Sequence, residues 1–153
     1  MWQATGGGAA VEFCGRDSRC TALLGMDPFI RPVSTNVLEN GVSQPSFFMF
    51  SQDWSDLTES RNNVLFNEFY KKSPQGMGAV TITGTKHYDF TDIPLLSLIA
   101  PQLQLKGPLD GKRVTEIVNG YLLDFFEMTL NNKPPLLLNG DFNIFEEVQV
   151  RNK

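Results

Sequence analysis

The chain holds a single histidine, two cysteines and three tyrosines in 153 residues, and these shortages exclude several chemistries. One imidazole and two thiols cannot complete a four-ligand zinc site of the usual kind, so no metal is expected. Cys14 and Cys20 are too few and too close for a disulfide framework, and buried free thiols are the expectation. Cations are short as well. Thirteen Lys and Arg stand against 17 Asp and Glu, a formal net charge of −4, whereas gripping a phosphate backbone needs a clustered surplus of positive charge. Nucleic acid is therefore not an expected partner. No run approaches the ~18 consecutive apolar residues that span a bilayer, and the opening MWQATGGGAA lacks the basic start and apolar core of a signal peptide. As written the chain reads as soluble and cytoplasmic, with any export signal placed upstream of Met1. Repeats, charge blocks and low-complexity tracts are missing too, and nothing calls for a cofactor.

What is present is a core. Apolar residues make up 41% and charged residues 20% of the chain, enough for one ordinary folded domain, read here as a single partial domain over 1–153. CTALLGMD and SFFMFSQD are continuous apolar runs that end in polar residues, as strands buried on both faces do, and AVTITG is rich in β-branched residues. Between them the spacing predicts helices. One opens at the glycine run and covers about 7–15. A second is capped by Asp56 with Glu59 three residues on, and carries Leu57, Asn63, Val64, Leu65, Phe66, Phe69 and Tyr70 on its apolar stripe. A third covers about 111–129, with Val114, Ile117, Val118, Tyr121, Leu122, Phe125 and Phe126 on one side. An apolar stretch, IPLLSLIAPQLQL, precedes it, and the tail after Pro134 shows no period. Strands alternating with helices predict an α/β fold of about three parallel strands with flanking helices.

In parallel sheets functional groups gather at the carboxyl ends of the strands. Asp27 follows the first strand, Asp53 the second and His87 the third. A lone histidine is ordinarily structural, but this one shares its sheet edge with two carboxylates. An imidazole oriented by a buried carboxylate takes a proton from a serine hydroxyl and returns it to a leaving group. α/β-Hydrolases order nucleophile, acid and base in that sequence, with the serine on a strained GxSxG turn. The glycine run from Gly6 to Gly8 is where such a turn would lie. A phosphate-binding loop is the competing reading, and it lacks the lysine and hydroxyl residue that should follow. A cysteine nucleophile would need Cys14 or Cys20 in the turn, and neither is there.

The segments TGGGAAVEF, ALLGMDPF, PSFFMFSQDW, GTKHYDFTDIPLL and IAPQLQLKGPLDGKR together resemble the C-terminal portion of bacterial homologues of the platelet-activating factor acetylhydrolases, from about 5 to 138. The resemblance implies a serine esterase of the α/β-hydrolase class acting on ester substrates, including short-acyl phospholipids. It places the acid at Asp27, with Asp53 as the alternative, and the base at His87, where Phe90 completes the family's HxxF context. It puts Ala4 where the nucleophilic serine should be and the Thr5 amide where one oxyanion donor should be. The sequence departs from the family at Ala4, so the expectation is a chain that begins within the nucleophile turn and is inert alone as an esterase. An exposed sheet edge would favour self-association. A non-catalytic half-domain that binds lipid or a partner chain through the stretch from Ile93 to Leu105 is the alternative.

Overall fold

Leu23–Met26 and Ser46–Ser51 are buried at every position, the pattern of strands covered on both faces. They form β2 and β3 and run parallel, Leu23 opposite Ser46 through to Met26 opposite Met49. In this computed structural model, residues 2–93, 99–100, 102–138 and 145–151 are described. Trp2–Gln3 forms β1, parallel to β2 with Trp2 opposite Gly25. These two residues, just ahead of the glycine run, extend the ladder on β2. Gly76–Ile82 forms β4, and Val148–Val150 forms β5 antiparallel to it, with Ile82 opposite Val148. The hydrogen-bonded order is β1-β2-β3-β4-β5, so the sheet is mixed where parallel strands alone are expected. Three residues are too few to show an alternation, which is why β5 is invisible in the sequence.

The chain packs as two compact units, one of Met1–Met49, Leu57–Ala79 and Arg151–Lys153 and the other of Phe50–Asp56 and Val80–Val150. In the first, helix α1 (Thr5–Arg16) buries Gly7, Gly8, Ala10, Val11 and Cys14. A Cβ at Gly8 would lie 2.1 Å from the Phe29 carbonyl oxygen, so only glycine lets the helix settle onto that loop. A short α2 (Thr35–Asn40) packs on α4 (Arg61–Lys72). The cap of α4 is Ser60, whose hydroxyl accepts the Asn63 N–H at 3.2 Å, and not Asp56. A tight turn, with the Ser60 N–H donating to the Leu57 carbonyl at 3.0 Å, separates the two, leaving Asp56 at the end of α3 (Gln52–Asp56). Leu57 and Val64 are correspondingly exposed, while Phe66, Phe69 and Tyr70 are buried. Phe48 of β3 meets these three rings edge-on at centroid distances of 4.9, 6.3 and 5.8 Å, an arrangement that places ring edges on ring faces.

The cysteines are not free thiols. Cys14 and Cys20 form a disulfide across a sequence separation of 6, with Cα atoms 5.1 Å apart. The cause is local: α1 ends at Arg16, and the Asp17 carboxylate accepts the Arg19 N–H at 2.9 Å while the Asp17 carbonyl accepts the Cys20 N–H at 3.1 Å. That turn folds the chain back on the last turn of the helix and brings the two Cβ atoms within bridging reach.

In the second unit α5 (Gly111–Asn131) is capped by Asp110, whose carboxylate accepts the Lys112 and Arg113 N–H groups. Val114, Ile117, Val118, Tyr121 and Phe125 are its buried stripe, with Leu122 and Phe126 only half-buried. The helix runs past Thr129 until Asn132 turns left-handed at φ 52°, a common helix stop. Behind it the buried Asp124 carboxylate accepts the N–H groups of Leu136, Leu137 and Leu138 at 2.7–3.0 Å. Within the apolar stretch 93–105, residues 94–98 and 101 lie outside the described residues, Ile99 and Leu103 are exposed, and Ala100 is buried. Among the described residues no helix is long and apolar enough to cross a membrane.

Candidate active site

Ala4 stands between β1 and α1 at φ 50°, ψ −118°, a region that side chains with a Cβ seldom enter, at a cost on the order of 1–3 kcal/mol. Three backbone hydrogen bonds hold it there. Its N–H donates to the Met26 carbonyl at 3.2 Å, and its carbonyl accepts both the Gly8 N–H at 3.2 Å and the Phe29 N–H at 2.8 Å. A sharp strand-to-helix turn of this kind lifts its central side chain clear of the sheet edge, the geometry that exposes a nucleophile in α/β-hydrolases. Here the side chain is a methyl group. Thr5 is the first residue of α1, so its amide is one of the opening-turn donors that find no acceptor within the helix.

Asp27 follows β2 in the same unit, and its side chain is fully buried. It too has a positive φ, 41°, and its N–H donates to the Met49 carbonyl at 2.9 Å. The loop after it is pinned by Asn62 of α4, which accepts the Ile30 N–H at 2.8 Å and donates to the Pro28 carbonyl at 3.1 Å. Because Phe29 also donates to the Ala4 carbonyl, the strained turn and the loop after Asp27 share one hydrogen-bond system. Arg151 supplies positive charge to this carboxylate. Burial pushes the Arg151 guanidinium down from its ordinary value, and Asp27 opposes that shift.

His87 and Asp53 belong to the second unit. His87 opens a four-residue 3-10 turn, His87–Phe90, after β4. Its imidazole stacks on the Trp54 indole, centroids 4.8 Å apart and planes 24° from parallel, and the Tyr88 ring stands edge-on at 5.6 Å. Asp53 is exposed. Its carboxylate accepts the Ser51 hydroxyl at 2.8 Å, and its N–H reaches the Thr85 carbonyl at 3.4 Å. Of the two carboxylates, then, Asp27 has the buried setting that an orienting acid requires. Ala4, Thr5 and Asp27 are brought together in one unit, and His87 and Asp53 lie in the other. Sequence reasoning misses Trp54 as the partner of His87 and Asn62 as the brace of the loop after Asp27. The aromatic residue beside Asp53 is the one available signal for the first; a single asparagine inside a helix gives none for the second. Among the described residues no group of three or more His, Cys, Asp or Glu side chains is placed to hold a metal ion.

Comparison with known proteins extends this geometry. The chain is 24% identical over 127 residues to a platelet-activating factor acetylhydrolase of Cavia porcellus, covering 82% of this chain and 28% of that protein. It is 26% identical over 137 residues to the one of Gallus gallus, covering 87% and 31%. It thus spans about three tenths of the length of these relatives. Among solved structures, a ferulic acid esterase from Streptomyces cinnamoneus matches with a TM-score of 0.81 at 22% identity, over 98% of this chain and 45% of that one. The shared fold is that of an α/β-hydrolase. The sequence profile of platelet-activating factor acetylhydrolase, isoform II, matches residues 3–143, nearly the whole chain, and the chain therefore belongs to that family.

Proposed function

We propose that this chain carries the acid and base of a serine-type carboxylic ester hydrolase, Asp27 as the acid and His87 as the base, with Ala4 occupying the position of the nucleophile. The observation that carries this reading is the backbone of Ala4, a strained strand-to-helix turn kept at φ 50°, ψ −118° although alanine gains nothing chemically from it. In the complete machinery a serine hydroxyl attacks the ester carbonyl, the His87 imidazole takes the hydroxyl proton and returns it to the leaving alcohol, and an acyl-serine is hydrolysed in a second round. The Thr5 amide supplies one hydrogen bond to the oxyanion. Short-acyl phospholipids are the proposed substrates, on the strength of the family's acetylhydrolases.

With a methyl group at Ala4 the chain forms no acyl-enzyme. A fluorophosphonate probe, which reports an activated serine without needing a particular acyl group, tests the reading directly. The unchanged chain is expected to stay unlabelled, and Ala4→Ser is expected to be labelled at residue 4 in a His87-dependent way. Labelling of the unchanged chain, or a folded Ala4→Ser protein that stays unlabelled, would overturn it.

Exposed Ile99 and Leu103, at 59% and 58%, favour a second reading, a non-catalytic half-domain that meets lipid or a partner chain. Co-sedimentation with phosphatidylcholine vesicles that is lost on changing both residues to serine would support the lipid version. No binding at any lipid concentration, together with a monomer in the ultracentrifuge, would eliminate both versions.

A further inference from the structure

We propose that Asp89 is a positioning residue for His87, working through a clasp between the histidine-bearing turn and the segment 104–109. This rests on the reading of His87 as the base. A four-residue turn has too few internal hydrogen bonds to fix the direction of a side chain by itself, and this one borrows its rigidity. Asp89 is 7% exposed, and its carboxylate Oδ2 accepts two backbone N–H groups, that of Lys86 at 2.7 Å and that of Gly107 at 2.8 Å. One oxygen therefore ties the residue immediately before His87 to a loop 18 positions beyond Asp89 itself.

Two further contacts close the clasp: the Leu109 N–H donates to the Gly84 carbonyl at 2.9 Å and the Lys86 ammonium donates to the Gln104 carbonyl at 3.1 Å. Within the segment itself, the Lys106 ammonium gathers the Gly107 and Leu109 carbonyls. The two strands of the clasp touch backbone to backbone. A Cβ on Gly107 would lie 2.2 Å from the Gly84 carbonyl oxygen and 2.9 Å from the Thr85 Cα, so residue 107 has to be glycine for the amide to reach Asp89. The second carboxylate oxygen, Oδ1, is buried without a hydrogen-bond partner among the described residues. A buried carboxylate left half-used is a poor stabiliser, and its retention is better explained by what Oδ2 holds in place. With the turn fixed from behind, the backbone that carries the imidazole is held where the ring stacks on Trp54.

His87 is the only histidine in the chain, so its two carbon-bound imidazole proton signals in an NMR spectrum need no assignment. Trp54 stacked over the ring displaces them upfield, and Trp54→Leu defines the unstacked position. Asp89→Asn keeps a carbonyl able to accept both N–H groups and is expected to leave the signals where they are in the unchanged chain. Asp89→Ala is expected to move them to the Trp54→Leu position while far-UV circular dichroism stays that of the folded protein. A folded Asp89→Ala protein with unmoved imidazole signals would overturn the proposal, and so would a folded Asp89→Asn protein with displaced ones. If Asp89→Ala does not fold, Asp89→Asn decides together with hydrogen exchange in the unchanged chain, where unprotected Lys86 and Gly107 amides would refute the clasp. Hydrolysis is read in none of these measurements, so the fate of the esterase reading and that of the clasp remain separable.

Discussion

Reducing the Cys14–Cys20 bond should lower the melting temperature of the chain by about 7 °C. The bond closes a loop with a sequence separation of 6, and the chain-entropy relation for a loop of that size gives a stabilisation of ~2.4 kcal/mol. A chain of this length unfolds with an entropy on the order of 0.32 kcal/mol/K, and the ratio of the two sets the shift. Reduction is a cleaner perturbation than substitution, because both sulfur atoms stay in place. Cys14 and Cys20 are nearly buried, at 6% and 8% exposure, so Cys14→Ala with Cys20→Ala adds a packing loss of ~1 kcal/mol to the lost cross-link. The assay is thermal unfolding by circular dichroism with and without a phosphine reductant, accompanied by thiol titration in denaturant. Two free thiols in the unreduced, denatured protein would refute the bond. An unchanged melting temperature after verified reduction would refute the entropic account of it.

Three other outcomes are expected. Gly8→Ala forces a methyl group against the Phe29 carbonyl, 2.1 Å away, and should cost about 3 kcal/mol in a urea titration. Arg113, hydrogen-bonded to Glu147 through Nε at 2.8 Å, holds that carboxyl below its ordinary value of 4.5. The stabilisation is therefore present above that value and lost as the pH falls through the lower folded one, so the melting difference between the unchanged chain and Glu147→Gln should shrink on acidification. Burial pushes the Tyr70 phenol from 10.0 up to about 12. The unfolded chain then ionises first, stability falls as the pH rises from 10.0 through about 12, and Tyr70→Phe should flatten that decline. Tyrosinate absorbance at about 295 nm follows the titration.

The parts of the fold legible in the sequence are those with a strong local signal. β2 and β3 are readable because burial on both faces leaves unbroken apolar runs, and the stripe of α5 because a helix of 21 residues repeats its period several times. Ser60 as the cap of α4 is harder to see, since Asp56 offers the same short polar side chain four residues earlier and the turn between them carries no glycine or proline. β1 and β5 are too short for any period. The disulfide depends on how tightly the chain reverses after Arg16, which spacing alone does not give. For the site, residue type and chain order narrow the candidates to Asp27, Asp53 and His87, the family resemblance favours Asp27 over Asp53, and the burial of Asp27 against the exposure of Asp53 is visible only in the folded chain. Trp54, Asn62 and Asp89 act on those residues through contacts made only in the folded chain, where no pattern of neighbouring residues foretells them.

The turn at Ala4 has an evolutionary consequence. Its conformation is imposed from outside, by the Met26 carbonyl, the Phe29 amide and the glycine that lets α1 close on the loop. The residue that occupies the turn contributes almost nothing to its shape. Alanine codons differ from one set of serine codons at a single base, so a gene for this chain lies one point mutation from a hydroxyl at the apex of a turn already bent to present it. Exchange of the methyl group for a hydroxyl at this position is then a matter of one base and of almost no structural change.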